Sequence, residues 1–495
     1  MDTPTRHPDA SQDQDTFDLE DHTPHEECGI FGIYNHGDAA AHTALGLHAL
    51  QHRGQEAAGI VSNDGKHFHT HKALGLVGDN FNSQDIINTL LGSKAIGHVR
   101  YSTSGAPLIR NVQPLFADFK FGGLSIAHNG NLTNAKTLRR RLVDEGSIFQ
   151  STSDTETIVH LIATSRQKSV VDRMVEALRQ VVGAYSLVAL TRRKLIGVRD
   201  PNGVRPLVLG KLGESWVLTS ETCALDIIDA EFVRDVEPGE IIIIDENGVQ
   251  SIKPFAPTLP RFCIFEYVYF ARPDSIIDNR SVYDVRKKIG AVLAQENTVE
   301  ADVVVPVPDS GVPSAIGYAQ EANLPFDLGI IRNHYVGRTF IEPTDQIRHL
   351  GVRLKHNANS AVLKDKRVIL VDDSIVRGTT SIKIVSMLRN AGAKEIHMRI
   401  ASPPTVNSCY YGIDTPKSKE LMANKYDLEE MAKLIGVDSL TFISIDGLYK
   451  AVGEKNGRCK DRQYCDACFS GDYDIDLTDQ DSGQVEQLSL LVGQD

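Results

Sequence analysis

Apolar and polar residues follow two different patterns in the two halves of the chain. In the first half, short apolar or alternating runs predict β-strands at CGIFGIYN (28–35), GLSIAHNG (123–130), YSLVALT (185–191) and EIIIIDENG (240–248). Amphipathic stretches between them predict helices, for example DTETIVHLIATS (154–165) and VVDRMVEALRQVV (170–182). Because many strands occur with few crossover helices, the pattern is typical of an α+β domain spanning about 28–260.

The second half alternates strand and helix instead. Apolar strands are predicted at ADVVVPVP (301–308), KRVILVDD (366–373) and EIHMRIAS (395–402), and helices at SAIGYAQEA (314–322) and TSIKIVSMLRNAGA (380–393). This order predicts an α/β domain with a mostly parallel sheet over 261–470. The proline-rich segment KPFAPTLPRF (253–262) is interpreted as the crossing between the two domains.

Charge is concentrated at the two ends of the chain. The formal net charge is -13, and residues 1–27 hold nine acidic side chains against one Arg, while residues 470–495 hold seven acidic side chains and no Lys or Arg. The body is therefore nearly neutral, which argues against nucleic-acid binding. We interpret 1–27 as a flexible leader and 471–495 as an acidic tail. With no signal peptide and no apolar run long enough to span a bilayer, a cytoplasmic location is expected.

Cys28 stands where the acidic leader meets the first predicted strand. Removal of 27 residues exposes its α-amino group, whose reference pKa of about 7.7–8.0 allows it to act as general base for the thiol. Considered alone, a cysteine in this position is more commonly a small buried side chain at a strand start. The segments CGIFGIYN, LQHRGQEAAGI (50–60), GHVRYST (97–103) and AHNGNLTN (127–134) resemble, in this order, the glutaminase domain of N-terminal-nucleophile amidotransferases.

The resemblance implies a layered αββα fold and a role for each motif residue. Cys28 is the implied nucleophile, and Asn129 and Gly130 are the implied donors to the tetrahedral oxyanion. Arg100 and Asp154 are implied to bind the carboxylate and the ammonium group of glutamine.

A second candidate site lies in RVILVDDSIVRGTT (367–380), where an apolar strand ends in two aspartates before a loop and a helix. Free N–H groups at a helix N-terminus suit a phosphate, and Ser374, Gly378, Thr379 and Thr380 fit such a loop. Asp372 and Asp373 could hold ribose hydroxyls or a partly hydrated Mg²⁺, although acidic residues at strand ends are also common helix caps.

This stretch resembles the signature of phosphoribosyltransferases that use phosphoribosyl pyrophosphate (PRPP). The resemblance implies that VPVPDSGVPSA (305–315) lies beside the pyrophosphate, with Ser310 reaching the metal. It also implies that RNHYVGRTFI (332–341), which contains Arg332 and Arg338, is a mobile loop that closes over PRPP and excludes water.

A glutaminase domain followed by a PRPP domain resembles the glutamine PRPP amidotransferase (amidophosphoribosyltransferase) family over nearly all of 28–470. The implied reaction converts glutamine, PRPP and water to 5-phosphoribosylamine, pyrophosphate and glutamate, the first committed step of purine biosynthesis. Inhibition by purine nucleotides and a homo-oligomeric state, a tetramer, are also implied. The alternatives are a non-catalytic PRPP or nucleotide sensor and another glutamine amidotransferase that aminates a sugar phosphate; the intact motif residues disfavour the first and RVILVDDSIVRGTT the second.

Seven cysteines in a long chain without a secretory signal do not suggest a disulfide framework. Cys465 and Cys468 form a C-x₂-C pair, whose spacing alone leaves zinc, an iron–sulfur cluster, a redox disulfide and no ligand open. The resemblance favours the subgroup with a [4Fe–4S] cluster and a cleaved propeptide, with Cys263 and Cys409 as the other two ligands. Cys459 is the rival fourth ligand, and Cys223 has no assigned role.

Overall fold

The structure is a computed structural model that describes residues 28–101, 108–333 and 356–479. The predicted leader therefore lies outside the described residues, as do Arg338 and most of the predicted mobile loop. Within the described ranges, no helix has both the length and the apolar character needed to cross a bilayer.

Strands dominate the first domain, as the short apolar and alternating runs predict. In chain order they are β1 (Gly29–Tyr34), β2 (Ala57–Asn63), β3 (Phe68–Leu74), β4 (Lys94–Arg100), β5 (Leu115–Phe119), β6 (Gly122–Leu132), β7 (Gly183–Thr191), β8 (Leu195–Arg199), β9 (Val208–Leu212), β10 (Ser215–Thr219), β11 (Glu231–Asp235), β12 (Ile241–Asp245) and β13 (Gly248–Ile252). The helices are α1 (Ala39–Ala49), α2 (Val77–Asn80), α3 (Gln84–Thr89), α4 (Ala135–Asp144), α5 (Thr155–Thr164), α6 (Val170–Leu178) and α7 (Cys223–Asp226), with 3₁₀ turns at Gln51–Arg53 and Ile109–Asn111.

These strands form two antiparallel sheets that pack face to face. Among the described residues, one sheet has the order β11-β9-β10-β1-β4-β2-β3 and the other β13-β12-β8-β7-β6-β5. Apolar side chains from both sheets, such as Ile30 and Val188, fill the layer between them. The outer face of the first sheet packs on α1 and α7, and that of the second packs on α4, α5 and α6. The layered αββα architecture is therefore confirmed.

One predicted helix is shorter than its apolar pattern suggests. The pattern extends to Val182, whereas α6 ends at Leu178. The amide of Val182 donates to Asn134 Oδ1 at 3.0 Å, and its carbonyl accepts from the amide of Thr133 at 2.9 Å. These contacts draw the chain out of the helix and into β7.

The second domain contains the predicted alternation of strand and helix. Its strands are β14 (Phe262–Cys263), β15 (Ile276–Ile277), β16 (Arg280–Ser281), β17 (Val303–Pro306), β18 (Ile330–Arg332), β19 (His356–Ala358), β20 (Arg367–Asp372), β21 (Glu395–Ile400), β22 (Ser439–Phe442) and β23 (Tyr464–Cys465). Its helices are α8 (Val282–Glu296), α9 (Val312–Ala322), α10 (Ser360–Leu363), α11 (Thr379–Asn390), α12 (Met422–Lys425), α13 (Leu428–Ile435), α14 (Ile445–Ala451) and α15 (Ala467–Ser470), with a π-helical turn at Glu266–Phe270 and a 3₁₀ turn at Ser418–Glu420.

In the described residues, β17, β20, β21 and β22 form a parallel sheet in the order β17-β20-β21-β22. Both faces of this sheet are covered. Ile369 and Val371 pack on the side of α8 and α9, while Val368 and Leu370 pack on the side of α11. Burial on both faces explains why RVILV is continuously apolar rather than alternating.

Candidate active sites

Cys28 directly precedes β1 at the centre of the first sheet. Because β1 pairs with β4 in a register that places Gly29 opposite Val99, Cys28 lies beside Arg100, the last residue of β4. The Cys28 thiol donates a hydrogen bond to the Tyr101 carbonyl at 3.6 Å. Burial raises the pKa of this thiol to about 11, although the Tyr101 hydrogen bond and the Arg100 charge act in the opposite direction.

Asn129 and Gly130 lie near the end of β6, in the second sheet. The site is thus assembled across the two sheets, and His98 of β4 connects them by contacting the His128 carbonyl at 3.1 Å. Asn129 is fully buried, yet neither its Nδ2 nor its Oδ1 has a hydrogen-bond partner among the described residues. Such a group is unusual in a native protein, so we interpret it as reserved for a ligand.

Asp154 stands at the start of α5 with its carboxylate close to the same site. Its Oδ2 accepts from the Leu132 amide at 3.0 Å, and its Oδ1 lies 3.6 Å from His128 Nδ1. Burial alone would raise the pKa of Asp154, but His128 and the hydrogen bonds from backbone amides lower it overall. The side chain therefore remains an anion at neutral pH, which suits a cationic ligand group.

A cavity of about 540 Å³ adjoins Asp154 and opens between the two domains. One wall consists of Asn131 to Thr133 and the start of α4 from the first domain. The other wall is formed by Ser408 to Tyr410 and Gly412 to Thr415 of the second domain. Of the predicted glutamine-site residues Asp154 lines this cavity, and Gly130 packs against Gly412 of the second domain, so this side of the site adjoins the domain interface, which the motif analysis did not predict.

Asp372 and Asp373 lie at the carboxyl end of β20, where parallel sheets place ligands. Both are buried. The Asp373 carboxylate accepts hydrogen bonds from the hydroxyls of Ser374, at 2.6 Å, and Ser310. Burial raises the pKa of Asp372 well above its usual range, and the charge of Asp373 raises it further. Two carboxylates and a hydroxyl held together in this way form a donor set that suits Mg²⁺.

The loop after this acidic pair leads into the N-terminus of α11. Gly378 precedes the helix with a φ of +77°, and a Cβ there would come within 2.3 Å of the Met422 sulfur. Thr379 and Thr380 are the first two residues of the helix. Arg332, at the end of β18, forms an ion pair with Asp309 beside Ser310. The structure thus brings the described members of the predicted PRPP set to one end of the sheet.

Arg286 is a residue that sequence analysis missed. It is buried on α8, and its Nε and Nη2 donate to the carbonyls of Tyr267, Tyr269 and Ala271 at 2.7–2.8 Å. Burial lowers its pKa to about 10, while its charge opposes the rise in the pKa of Asp373. In the sequence it is one of several basic residues on a helix, so no local signal distinguishes it.

Four of the cysteines come together where β14 and β23 pair. The parallel register places Cys263 opposite Cys465. Burial raises the pKa values of Cys263, Cys465 and Cys468, and the neighbouring thiols, including that of Cys409, raise them further. Cys459 is exposed, and Cys223 is buried in the core of the first domain.

No three His, Cys, Asp or Glu side chains in the described part of the chain converge tightly enough to hold a single metal ion. One zinc ion would need its sulfur ligands about 4 Å apart, whereas a four-iron cluster is larger and its thiolates stand farther from one another. The four neighbouring thiols of Cys263, Cys409, Cys465 and Cys468 supply the number and type of ligand that a four-iron cluster takes.

Comparison with known proteins identifies both domains. A model of the glutamine amidotransferase domain matches residues 98–226, and a model of the phosphoribosyl transferase domain matches residues 276–417. The amidophosphoribosyltransferase of Rhizobium etli is 58% identical over 480 residues, which cover 96% of this chain and 97% of that protein. The chloroplastic amidophosphoribosyltransferase of Glycine max is 53% identical over 462 residues, which cover 93% of this chain and 80% of that protein.

A solved structure agrees with this result. The glutamine PRPP amidotransferase of Bacillus subtilis, in complex with ADP and GMP, superimposes with a TM-score of 0.86 at 47% identity and covers 91% of this chain and 98% of that one. Identity of this level over nearly the whole length is far above what a shared fold alone produces. The chain therefore belongs to the amidophosphoribosyltransferases, the glutamine-dependent enzymes of the first step of purine biosynthesis.

Proposed function

We propose that the first domain releases ammonia from glutamine through the Cys28 thiol. The thiol attacks the side-chain carbonyl carbon, ammonia leaves, and water hydrolyses the resulting thioester to glutamate. Asn129 and Gly130 stabilise the oxyanion, and Arg100 and Asp154 hold the two charged ends of the amino acid. The observation that carries this assignment is the buried Asn129 amide, which has no hydrogen-bond partner among the described residues.

We propose that the second domain binds PRPP at the end of β20. Ser374, Gly378, Thr379 and Thr380 surround the 5-phosphate, and Asp372 and Asp373 hold the ribose hydroxyls or, with Ser310, a Mg²⁺ ion. The ion, when bound, offsets the charge of the leaving pyrophosphate. Arg332, and Arg338 outside the described residues, contact the pyrophosphate. Ammonia then attacks C1 of the ribose and pyrophosphate departs.

The nitrogen is expected to pass between the two sites inside the protein, because bulk water at neutral pH would protonate and dilute ammonia. The position of the first site at the domain interface supports this expectation. No part of the transfer requires a redox change.

Two substitutions test the assignment of the two half-reactions. We expect Cys28→Ala to abolish glutamine-dependent phosphoribosylamine formation and to retain activity with added ammonium salt. Asp372→Asn should depress both activities, since both nitrogen sources use the same PRPP site. The measurement is pyrophosphate release from PRPP with each nitrogen donor. Equal loss of both activities in Cys28→Ala would contradict the proposal.

We also propose that the chain belongs to the subgroup with a cleaved leader and a [4Fe–4S] cluster. Cys263, Cys409, Cys465 and Cys468 would hold the cluster, which when bound cross-links β14, β23 and the Cys409 segment. Iron and labile sulfide analysis of anaerobically purified protein tests this. Cys468→Ser should remove both, whereas Cys459→Ser, which changes an exposed thiol, should remove neither.

The removal of residues 1–27 is tested separately. Mass spectrometry of the purified N-terminus should find Cys28 as the first residue. A protein that retains the leader and is fully active with glutamine would exclude the N-terminal-nucleophile mechanism for this chain.

Regulation and assembly are further proposals. The structure of the Bacillus subtilis relative contains ADP and GMP, so we propose that purine nucleotides inhibit this enzyme. We also propose that the enzyme is a tetramer and that it is located in the cytoplasm. Glutamine-dependent activity measured with and without GMP tests the nucleotide inhibition.

A further inference from the structure

Three consecutive residues of the second domain contact the candidate oxyanion strand and its neighbours. The Tyr410 carbonyl accepts from Asn131 Nδ2 at 2.8 Å, and the Tyr411 carbonyl accepts from Arg205 Nε at 2.8 Å. The third residue, Gly412, packs directly against the Gly130 backbone. Residues 410–412, named here the interface segment, thus hold the end of β6 from the side of the second domain.

The contact between the two glycines leaves no spare room. A Cβ on Gly412, whose φ is +113°, would come within 3.0 Å of the Cα and carbonyl carbon of Gly130. On its other side, a Cβ on Gly130 would come within 2.1 Å of the Ala184 carbonyl oxygen. The Gly130 backbone is therefore confined between β7 of its own domain and Gly412 of the other domain. The direction of the Gly130 N–H depends on both neighbours.

The interface segment is itself held in place by the second domain. The Tyr411 hydroxyl donates to the Ile475 carbonyl at 2.9 Å, and the Cys409 amide donates to Thr415 Oγ1 at 2.7 Å. Arg205, which anchors Tyr411 from the first domain, is fully buried. Because the segment is fixed at both ends, the position of the second domain can determine the position of Gly130. A loose loop would change its own conformation instead.

We propose that residues 410–412 are positioning residues for the glutaminase reaction, and that the second domain sets the geometry of the oxyanion-binding backbone at Gly130. The inference rests on the proposed role of Gly130. Because oxyanion stabilisation depends on donors placed to within a few tenths of an ångström, the glutaminase reaches full activity only when the two domains are docked.

Gly412→Ala tests the proposal, because the added methyl group must displace Gly130. In the holoenzyme we expect kcat with glutamine to fall about tenfold or more, with a smaller change in KM, since a displaced oxyanion donor acts mainly in the transition state. Ammonia-dependent activity and iron content should stay within about twofold of the wild type, because the PRPP site is untouched. The rate at which an electrophilic diazoketone analogue of glutamine alkylates Cys28 should fall in parallel.

Gly453→Ala is the matched control. Gly453 lies in the same domain with a φ of +103°, but a Cβ there meets its nearest neighbour, an Arg280 side-chain nitrogen, only at 3.6 Å. The control therefore introduces the same backbone strain without a clash, and both activities should be preserved. Unchanged glutamine kcat in Gly412→Ala, equal loss with ammonia, or a loss accompanied by loss of iron would each overturn the proposal.

If Gly412→Ala does not fold, Asn131→Ala decides the question. This variant removes the amide that donates to the Tyr410 carbonyl and should lower glutamine kcat without affecting ammonia-dependent activity. An unchanged glutamine kcat in that variant would overturn the inference. Cys28→Ala, assayed in the same experiment, separates this proposal from the proposed function. If Cys28→Ala retains glutamine-dependent activity, the proposed function is wrong. If it loses that activity, the Gly412 and Asn131 variants test the positioning role alone.

Discussion

At the scale of single residues, the reactivity of Cys28 is restrained by its surroundings. Burial disfavours the charged thiolate, so the pKa of the thiol rises to about 11. At neutral pH almost none of the thiol is ionised in this environment. A freed α-amino group, with a reference pKa of about 7.7–8.0, supplies the base that the internal residue lacks.

We predict that alkylation of Cys28 by iodoacetamide has a different pH dependence before and after removal of the leader. With residues 1–27 attached, the alkylation rate should increase with pH in a titration curve whose midpoint is about pH 11, because only the thiolate reacts. Once the leader is removed, the thiol should react at about pH 7.5–8, near the reference pKa of the amine. Peptide mass spectrometry at a series of pH values measures both rates. Exposed Cys459 is the internal control, and identical Cys28 profiles in the two forms would refute this account.

At the scale of elements, the 3₁₀ turn Gln51–Arg53 connects the two domains through buried charges. Arg53 forms ion pairs with Glu221 of its own domain and Glu266 of the π-helical turn in the second domain, and all three side chains are fully buried. Burial alone would raise the pKa of Glu221, but Arg53 and His52 lower it overall. Removing the Arg53 charge would take the nearest cation from both carboxylates and leave His52 beside Glu221 and Arg205 at 3.6 Å from Glu266.

We predict that Arg53→Met destabilises the protein by about 3–5 kcal/mol at pH 7, the usual cost of removing one partner from a buried ion pair. A lowered carboxyl pKa contributes stability above its unfolded value, near 4.3, and that contribution is lost as pH falls through the folded pKa. In Arg53→Met the Glu221 pKa should rise instead, so the difference from wild type should shrink on acidification towards pH 5. Urea unfolding at pH 7 and pH 5 measures this.

The matched control is Arg141→Met, which removes the exposed pair between Arg141 and Glu145. Such surface pairs contribute about 0–1 kcal/mol, so little change is expected. If the two variants were equally stable, the buried network would not contribute as proposed.

At the scale of the whole molecule, the start of the acidic tail returns from the second domain to the first. Thr133 Oγ1 donates to the Asp476 carbonyl at 2.6 Å, and the Asp479 amide donates to the Thr133 carbonyl at 3.0 Å. The Asp479 carboxylate accepts from the amides of Lys136 and Thr137 at 2.7 and 3.1 Å. A carboxylate at this end of α4 accepts hydrogen bonds from amides that the helix leaves unpaired, and its negative charge interacts favourably with the helix dipole.

We predict that Asp479→Ala lowers the free energy of unfolding by about 0.5–2 kcal/mol, the range for loss of a helix N-cap. Limited proteolysis should also release the C-terminal segment faster than in the wild type. Differential scanning calorimetry measures the first effect. Glu300→Ala, which removes an exposed carboxylate paired with Arg367, should leave both properties unchanged. A stability equal to wild type in Asp479→Ala would show that residues 473–479 do not stabilise the docked domains.

The local sequence determined many of the strands and the candidate reactive groups, because strand patterns and site motifs each span only a few residues. Short apolar or alternating runs predict β1, β6 and β7, and the apolar strand followed by two aspartates predicts both β20 and the chemistry at its end. The thiol, the Asn-Gly pair and the acidic pair could be named because their chemistry resides in residue type and short spacing.

Tertiary structure decided which distant groups meet. Three such contacts depend on how the two sheets stack and the two domains dock. Gly412 confines Gly130, Arg53 is paired with Glu266, and the charge of Arg286 acts on Asp373. These contacts join residues far apart in the chain, and no periodicity or motif records them. The sequence by itself determined which chemical groups are available, and only the packing of the domains decided how they are oriented, because orientation is set by neighbours that the local sequence does not contain.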